Sequence, residues 1–426
     1  MNVRLAYGQT GLDVELPQER TTVVRPTSNE GARDERAALR AALDAPVSGP
    51  RLRELARPGQ RVAISMCDGT RAQPRELMIP AVLDELAGIV PDADVVILVA
   101  TGTHRGNTEE ELRAMLGDEL YERVEVVNHD ARDPDALVSL GVHGNGVPVA
   151  INRRWVQADL RITTGFVEPH FFAGFSGGPK LVTPGLAGLE TVLVLHDALR
   201  IGDPRATWGV IYGNPVHDDV RAAASAAPAH FSLDVILNSE QRIITAFAGE
   251  TAPMHDAACA AARRYAMQTV AEPFDVVVTS NSGFPLDQNL YQAVKGMSAA
   301  AKIVKDGGTI VCAAECRDGF PGHGRFRELL GSRSTPAELI ESITTSSRTI
   351  PDQWQVQVQA NIQSRATVHL YTDHLTDEEV REAHLEPTHD IAATVRDALD
   401  RAGPASTVCV LPEGPQTIPI LASEPI

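Results

Sequence analysis

The stretch RVAISMCDGTR, residues 61–71, decides the fold: an apolar, β-branched run that stops abruptly in small polar residues. A run of this length with no polar alternation reads as a strand buried on both faces, with a loop at its carboxyl end. The same form returns in DVVILVATGTHR (94–105) and in DLRITTGFVEPH (159–170). Helical patterns fill the intervals at 75–86 and 109–116, so strands and helices alternate. That alternation predicts an α/β fold and argues against an all-β or helical-bundle plan. Further strands are expected at 124–128, 234–237 and 243–247. A second series opens at 275–279, continues at 309–313 and closes at 408–411, with helices near 286–305 and 336–344. The helical segment 251–273, ending in Ala271-Glu272-Pro273, separates the two series. Two α/β domains are therefore expected, 1–270 and 271–426.

The 426 residues carry 38 Lys and Arg against 56 Asp and Glu, a formal charge of −18. This acidity argues against a broad nucleic-acid or anionic-membrane surface, while leaving room for a local anion pocket. The five cysteines are scattered and odd in number, so no disulfide framework is expected, and Cys312-x-x-x-Cys316 lacks a second pair to complete a zinc site. The amino-terminal residues lack the apolar centre of a signal peptide, and no apolar run approaches the ~18 residues of a membrane span. A cytoplasmic protein with no membrane or nucleic-acid partner is the expectation.

The polar residues at the strand exits carry the functional signal. Asp68 and Arg71 follow the first strand, His104 the second, and Glu168 and His170 the third. In open α/β sheets ligands bind beyond the carboxyl ends of the strands, so these exits are expected to converge on one crevice. Each has a plainer reading alone: an Asp-Gly-Thr turn caps itself, and a lone histidine after a strand is often structural. From His170 runs HFFAGFSGGPK (170–180), where Gly177 and Gly178 permit an anion nest and Lys180 offers a charge or an amine nucleophile. The alternative there is a flexible loop with a solvated lysine. A helix expected to start at 183–185 sets Leu186, Leu189, Leu193 and His196 on one stripe, which makes His196 either a core histidine or a metal ligand. Further on, Tyr291, Gln292 and Lys295 share a helix face suited to a carboxylate with an adjacent hydroxyl, while Leu290, Val294 and Met297 hold the helix down. His129 and His217 read as surface-loop residues. The remaining histidines, His255 and His323 among them, have no spacing that marks a site. No HExxH or GxGxxG pattern occurs.

DGTR (68–71), TGTHR (101–105), EPHFFAGFSGGPK (168–180), PGLAGLETVLVLH (184–196) and LYQAVKG (290–296) occur in this order. Together they resemble the lactate racemase family of nickel-pincer-nucleotide-dependent 2-hydroxyacid racemases and epimerases. The resemblance implies an isomerase of two α/β domains with its active site in the interdomain cleft. It implies inversion at C2 of a lactate-like 2-hydroxy acid by reversible hydride transfer through a 2-keto acid. The implied cofactor is a pyridinium-3-thioamide-5-thiocarboxylic acid mononucleotide holding Ni(II). Carried onto this chain, Lys180 matches the tether, His196 the protein ligand to nickel, and His104 and His170 the acid/base pair. Arg71, Gln292 and Lys295, with Tyr291 beside them, match residues that orient the substrate carboxylate and hydroxyl. Asp68 matches a supporting carboxylate, Gly177 and Gly178 the turn against the cofactor, and Trp354 a further pocket residue. The implied partners are a small 2-hydroxy acid and cofactor-maturation enzymes; an oligomer is compatible with the sequence. Phe171, Phe172 and Met297 suggest an apolar wall for the substrate side chain. Two other readings stand beside this one: a metal-dependent lyase or hydrolase with His104, His170 and His196 around zinc, and a non-catalytic binder of an anionic metabolite.

Overall fold

The computed structural model describes residues 1–27, 29–322 and 324–423, so His323 lies outside the described residues. The chain divides into two α/β units. One takes up 29–195 and Val210–Arg263; the other takes up Met1–Thr27, His196–Gly209 and the chain from Arg264 onward. Their two main sheets use, in chain order, β1 (Thr21–Val23), β2 (Val62–Cys67), β3 (Val95–Ala100), β4 (Glu125–Asn128), β5 (Leu160–Phe166) and β6 (Phe231–Leu237). The series continues with β7 (Ile243–Gly249), β8 (Phe274–Ser280), β9 (Val304–Ala313), β10 (Thr367–Tyr371), β11 (Glu386–Pro387) and β12 (Val408–Leu411).

In the unit containing 29–195 the strand order is β7-β6-β5-β2-β3-β4, with every pair parallel except β6 and β7. All six residues of β2 are buried, which is why its sequence shows no polar alternation. The helix Arg75–Leu86 lays Met78, Ile79, Val82, Leu83 and Leu86 into the cluster that holds Ile64, Met66, Ile97 and Val99. The chain leaves β2 for β3 and β4 on one side, then returns to set β5 against its other edge. The space beyond β2 and β5 is thus a topological switch point, the place where ligands bind in open α/β sheets.

In the other unit the order is β11-β10-β9-β8-β12-β1, all parallel. Here the expected division at 270/271 needs correction. The amino-terminal residues belong with the carboxyl-terminal series, because β1 pairs with β12 and the hairpin Asn2–Leu5/Leu12–Glu15 puts Val3, Leu5, Val14 and Leu16 into one core with Val276, Val278, Val408 and Val410. The segment His196–Gly209 joins them: the Gln357 amide donates to Ala198 O (2.9 Å), and the Trp208 indole N–H donates to Ser298 Oγ (3.0 Å). The 251–273 segment is helical only over Thr251–Ala266; Met267–Val270 then forms a strand beside Ile418–Leu421. Among the described residues no helix is long and apolar enough to cross a membrane.

Leu5 is almost fully buried, so Leu5→Ala is expected to lower the unfolding free energy by about 2–5 kcal/mol in a urea titration. A loss well under about 1 kcal/mol would place the hairpin outside the core.

Candidate active site

The loops at the switch point are held by polar side chains reaching out of an apolar sheet. The Ser65 hydroxyl on β2 donates to Leu181 O (2.7 Å), and the Thr164 hydroxyl on β5 donates to Ser65 O (3.0 Å). Gln73 accepts from Cys67 N (2.8 Å) and donates to Thr164 Oγ1 (2.9 Å). Arg75 is only 5% exposed, and its guanidinium donates to the carbonyls of Cys67, Asp68, Arg71 and Gln73. This one cation wraps the loop 67–73 around itself, because each buried carbonyl there needs a donor.

Asp68 emerges from that loop with its side chain 4% exposed, and its Oδ2 lies 2.6 Å from His104 Nδ1. Thr70 donates twice to its Oδ1, from N (3.1 Å) and Oγ1 (2.6 Å). Burial alone would push the Asp68 carboxyl up, but the His104 hydrogen bond, aided by the Arg71 guanidinium, holds it at about 2. The group is therefore a carboxylate that only accepts, and His104 carries its proton on Nδ1. In the neutral ring this leaves the Nε2 lone pair as the base. His104 is 42% exposed at its side chain, which keeps that nitrogen accessible.

His170 is set the opposite way. Its Nδ1 accepts from Ala173 N (3.2 Å) and, more distantly, from Phe172 N (3.5 Å). Backbone N–H groups only donate, so neutral His170 carries its proton on Nε2. Phe171 and Phe172 brace the ring at centroid distances of 4.9 and 4.5 Å. These phenyls and Met297 are buried.

The turn after His170 also departs from expectation. Gly177 and Gly178 have φ of 77° and 50°, the left-handed values glycine permits. They do not offer an open nest, however, because Gly178 N–H donates to Asp234 Oδ2 (2.7 Å) and Ser176 N–H donates to Glu168 O (2.9 Å). The glycines are needed for close approach: a Cβ at Gly177 would lie 2.7 Å from Asp234 Oδ2, and one at Gly178 would lie 2.5 Å from His255 Cγ. Lys180 follows, with N donating to Gly177 O (3.1 Å), O accepting from Gly185 N (3.0 Å), and Nζ 6.0 Å from the centre of the Phe172 ring. Gly102 N, in the His104 loop, donates to Gly185 O (2.9 Å), so the two loops share an anchor.

In the other unit the helix Leu290–Ala300 forms as its spacing predicts. Asn289 caps it by accepting from Gln292 N (3.1 Å), Leu290, Val294 and Met297 are fully buried, and Tyr291, Gln292 and Lys295 remain half-buried. The Trp354 indole N–H donates to the Tyr291 hydroxyl (3.0 Å), and the Trp354 ring lies 4.7 Å from the His196 ring. His196, Trp354 and Tyr291 thus form one cluster. Two glutamines of the helix Gln353–Gln363 tie it down: Gln355 to Tyr291 O and Gln357 to Ala198 O. His196 itself follows a helix that spans only Leu189–Leu195 and starts later than expected, since Pro184, Gly185 and Gly188 interrupt the pattern. It is half-buried rather than a core histidine.

Two histidines assigned to surface loops are interior. His129 is buried, with Nε2 on Ala187 O (2.9 Å) and Nδ1 taking a hydrogen bond from Asn152 (3.2 Å); His217 is buried beside His255. Sequence reasoning also passed over Ser65, Gln73, Arg75, Asp234 and Gln355. The available signal was a polar residue inside an otherwise apolar strand, as in VAISMC or FSLDVIL. Among the described residues, no three His, Cys, Asp or Glu are arranged to hold a metal ion.

Comparison with known proteins matches the chain in two parts. The lactate racemase N-terminal domain matches residues 7–209, and the lactate racemase C-terminal domain matches residues 269–418. A lactate racemase from Thermoanaerobacterium thermosaccharolyticum is 37% identical over 422 residues, covering 98% of this chain and 99% of that protein. One from Lactiplantibacillus plantarum is 37% identical over 382 residues, covering 89% and 90%. The solved apoprotein of the Thermoanaerobacterium lactate racemase superposes with a TM-score of 0.92 at 36% identity, over 98% of this chain and 100% of that one. A protein from Thermotoga maritima, 19% identical with a TM-score of 0.67 over 91% and 97% of the two chains, shares the fold.

Two outcomes follow from this geometry. Proton–nitrogen NMR of the histidine rings, assigned with His→Gln variants, is expected to find the neutral His104 ring protonated at Nδ1 and the neutral His170 ring at Nε2; the same tautomer for both would contradict the assignment. A carboxyl pKa lower in the folded chain than its ordinary 3.8 stabilises the fold above pH 3.8 and loses that contribution as pH falls toward 2. The stability gap between wild type and Asp68→Asn in urea titrations is therefore expected to stay level from about pH 5 to about pH 4, then to narrow by roughly 2 kcal/mol by about pH 2. A gap unchanged over that range would remove the ion pair from the account.

Proposed function

The chain belongs to the lactate racemase family, and on that footing we propose that it interconverts the two enantiomers of a small 2-hydroxy acid, with lactate the first substrate to test. It is an enzyme of the racemase class, which sets aside the reading as a non-catalytic binder. The observation that carries the chemical reading is the opposite commitment of the two imidazoles, His104 Nδ1 to a carboxylate and His170 Nδ1 to backbone N–H groups.

The residues present suit the nickel-pincer nucleotide. Among the described residues no three His, Cys, Asp or Glu are gathered to hold a metal ion, so a nickel carried by His196 would take its remaining donors from the pincer itself. Lys180 provides an amine at the end of a rigid turn, and would be the covalent tether; His196 would be the protein ligand to nickel. When bound, that group supplies an acceptor that takes a hydride from C2 and returns it.

The remaining work belongs to this chain. Arg71, Gln292 and Lys295 bind and orient the substrate carboxylate and hydroxyl, with charge-assisted hydrogen bonds fixing the carboxylate while C2 is planar. The Nε2 lone pair of His104 takes the hydroxyl proton of one enantiomer, and Asp68 stabilises the resulting imidazolium without itself accepting the proton. His170 presents Nε2–H toward the substrate oxygen in its resting tautomer. It serves as the base for the other enantiomer only once its ring releases the Phe172 and Ala173 amides, which are long enough (3.5 and 3.2 Å) to give way.

The test uses enzyme from a host that co-expresses the cofactor pathway, supplied with one lactate enantiomer deuterated at C2 in ordinary water. Chiral chromatography with mass detection is expected to find the opposite enantiomer with its deuterium retained. His104→Gln and His170→Gln are each expected to lower kcat/KM by at least about 10²-fold. Loss of the label to solvent would refute hydride transfer, and near-normal turnover in either variant would refute the two-imidazole scheme.

A further inference from the structure

Beneath the glycine turn lies a buried polar group that the proposed reaction does not use. Asp234 sits on β6 opposite Gly165 of β5 and is 0% exposed. One carboxylate oxygen accepts from Gly178 N (2.7 Å); the other lies against Gly165. Two histidines share this floor. His255, on the helix Thr251–Ala266, donates from Nε2 to Ser176 O (2.8 Å). His217, on the helix Pro215–Ala224, donates from Nδ1 to Ala173 O (3.2 Å). The two rings stack 5.6 Å apart at 9°. Burial pushes the Asp234 carboxyl up to about 7 and the two imidazoles down to about 3 (His217) and about 4 (His255), so both rings are neutral donors near pH 7.

We propose that Asp234, His255 and His217 are positioning residues, which hold the turn 173–178 in the single conformation that presents Lys180 for cofactor attachment and His170 for proton transfer. The inference rests on the reading of Lys180 as the tether. Three side chains from three elements take hold of the turn at Ala173 O, Ser176 O and Gly178 N, and Ser65 fixes Leu181 O just past the lysine. The Ala173 peptide is shared: its N–H fixes His170 and its carbonyl is fixed by His217. A carboxyl whose pKa is higher in the folded chain than in the unfolded one costs stability as pH rises between the two values. Ionising Asp234 there therefore works against the stability of the fold. A group kept in a protein at such a cost points to a role in the site above it.

The contact with Gly178 needs only an acceptor, so amide and carboxyl act alike while a methyl does not. Wild type, Asp234→Asn, Asp234→Ala and, as a second variant outside β6, His255→Leu are purified from the host that co-expresses the cofactor pathway. The fraction of Lys180 peptide carrying a covalent adduct is read by mass spectrometry, thermal unfolding confirms that each chain is folded, and amide exchange at Gly178 in the apoprotein reports the turn directly. Asp234→Asn is expected to load as wild type does, whereas Asp234→Ala and His255→Leu load at least about tenfold less, the scale of one lost buried hydrogen bond. Gly178 exchange is expected to accelerate by at least about tenfold in Asp234→Ala alone. Equal loading of wild type and any folded Asp234→Ala or His255→Leu chain overturns this inference and leaves the tether standing. Wild type without an adduct overturns the tether, and this inference with it.

Discussion

The site depends on a constraint that is simple to state: a backbone turn brought to the carboxyl edge of a buried parallel sheet must have its polar groups satisfied by side chains. Water is excluded there, and the turn is too irregular to satisfy itself. The chain answers with Ser65 on Leu181 O and Asp234 on Gly178 N, one contact on each side of Lys180. The lysine backbone is thereby fixed to β2 and β6 at once. A long flexible side chain gains precision only when its own backbone is held, which is what lets an amine act as an anchor instead of a solvated charge.

The same logic recurs wherever a candidate site side chain is placed. Arg75 closes the loop that carries Asp68 by donating to its carbonyls; Asp68 then fixes the His104 ring; the Ala173 amide fixes His170. In the other unit Gln355 and Gln357 take the carbonyls of Tyr291 and Ala198, and Trp354 between them meets both the Tyr291 hydroxyl and the His196 ring. Opposite tautomers at His104 and His170 are a product of this scaffolding, since a carboxylate and a peptide N–H can each satisfy only one protonation state of the nitrogen they face.

Most strands and the two amphipathic helices near the first sheet were legible because burial on both faces, or on one stripe, writes a period into the sequence. The strand exits pointed to Asp68, His104 and His170 for the same reason. What stayed hidden was non-local. β1 is three residues whose partner lies almost at the other end of the chain, and no local pattern announces that pairing. His129 and His217 sit beside acidic residues and look solvated in sequence, yet each is enclosed by elements distant along the chain. The glycines at 177 and 178 were recognisable as a turn, but their purpose depends on Asp234 and His255, which approach from two other elements.

The central claim is that this pinned lysine is a covalent anchor. Peptide mass spectrometry of the active enzyme, with nickel measured on the same sample, addresses it directly. The account predicts a nucleotide-sized adduct confined to the peptide containing Lys180, in proportion to activity and to nickel content. Fully active enzyme with an unmodified Lys180 would contradict it.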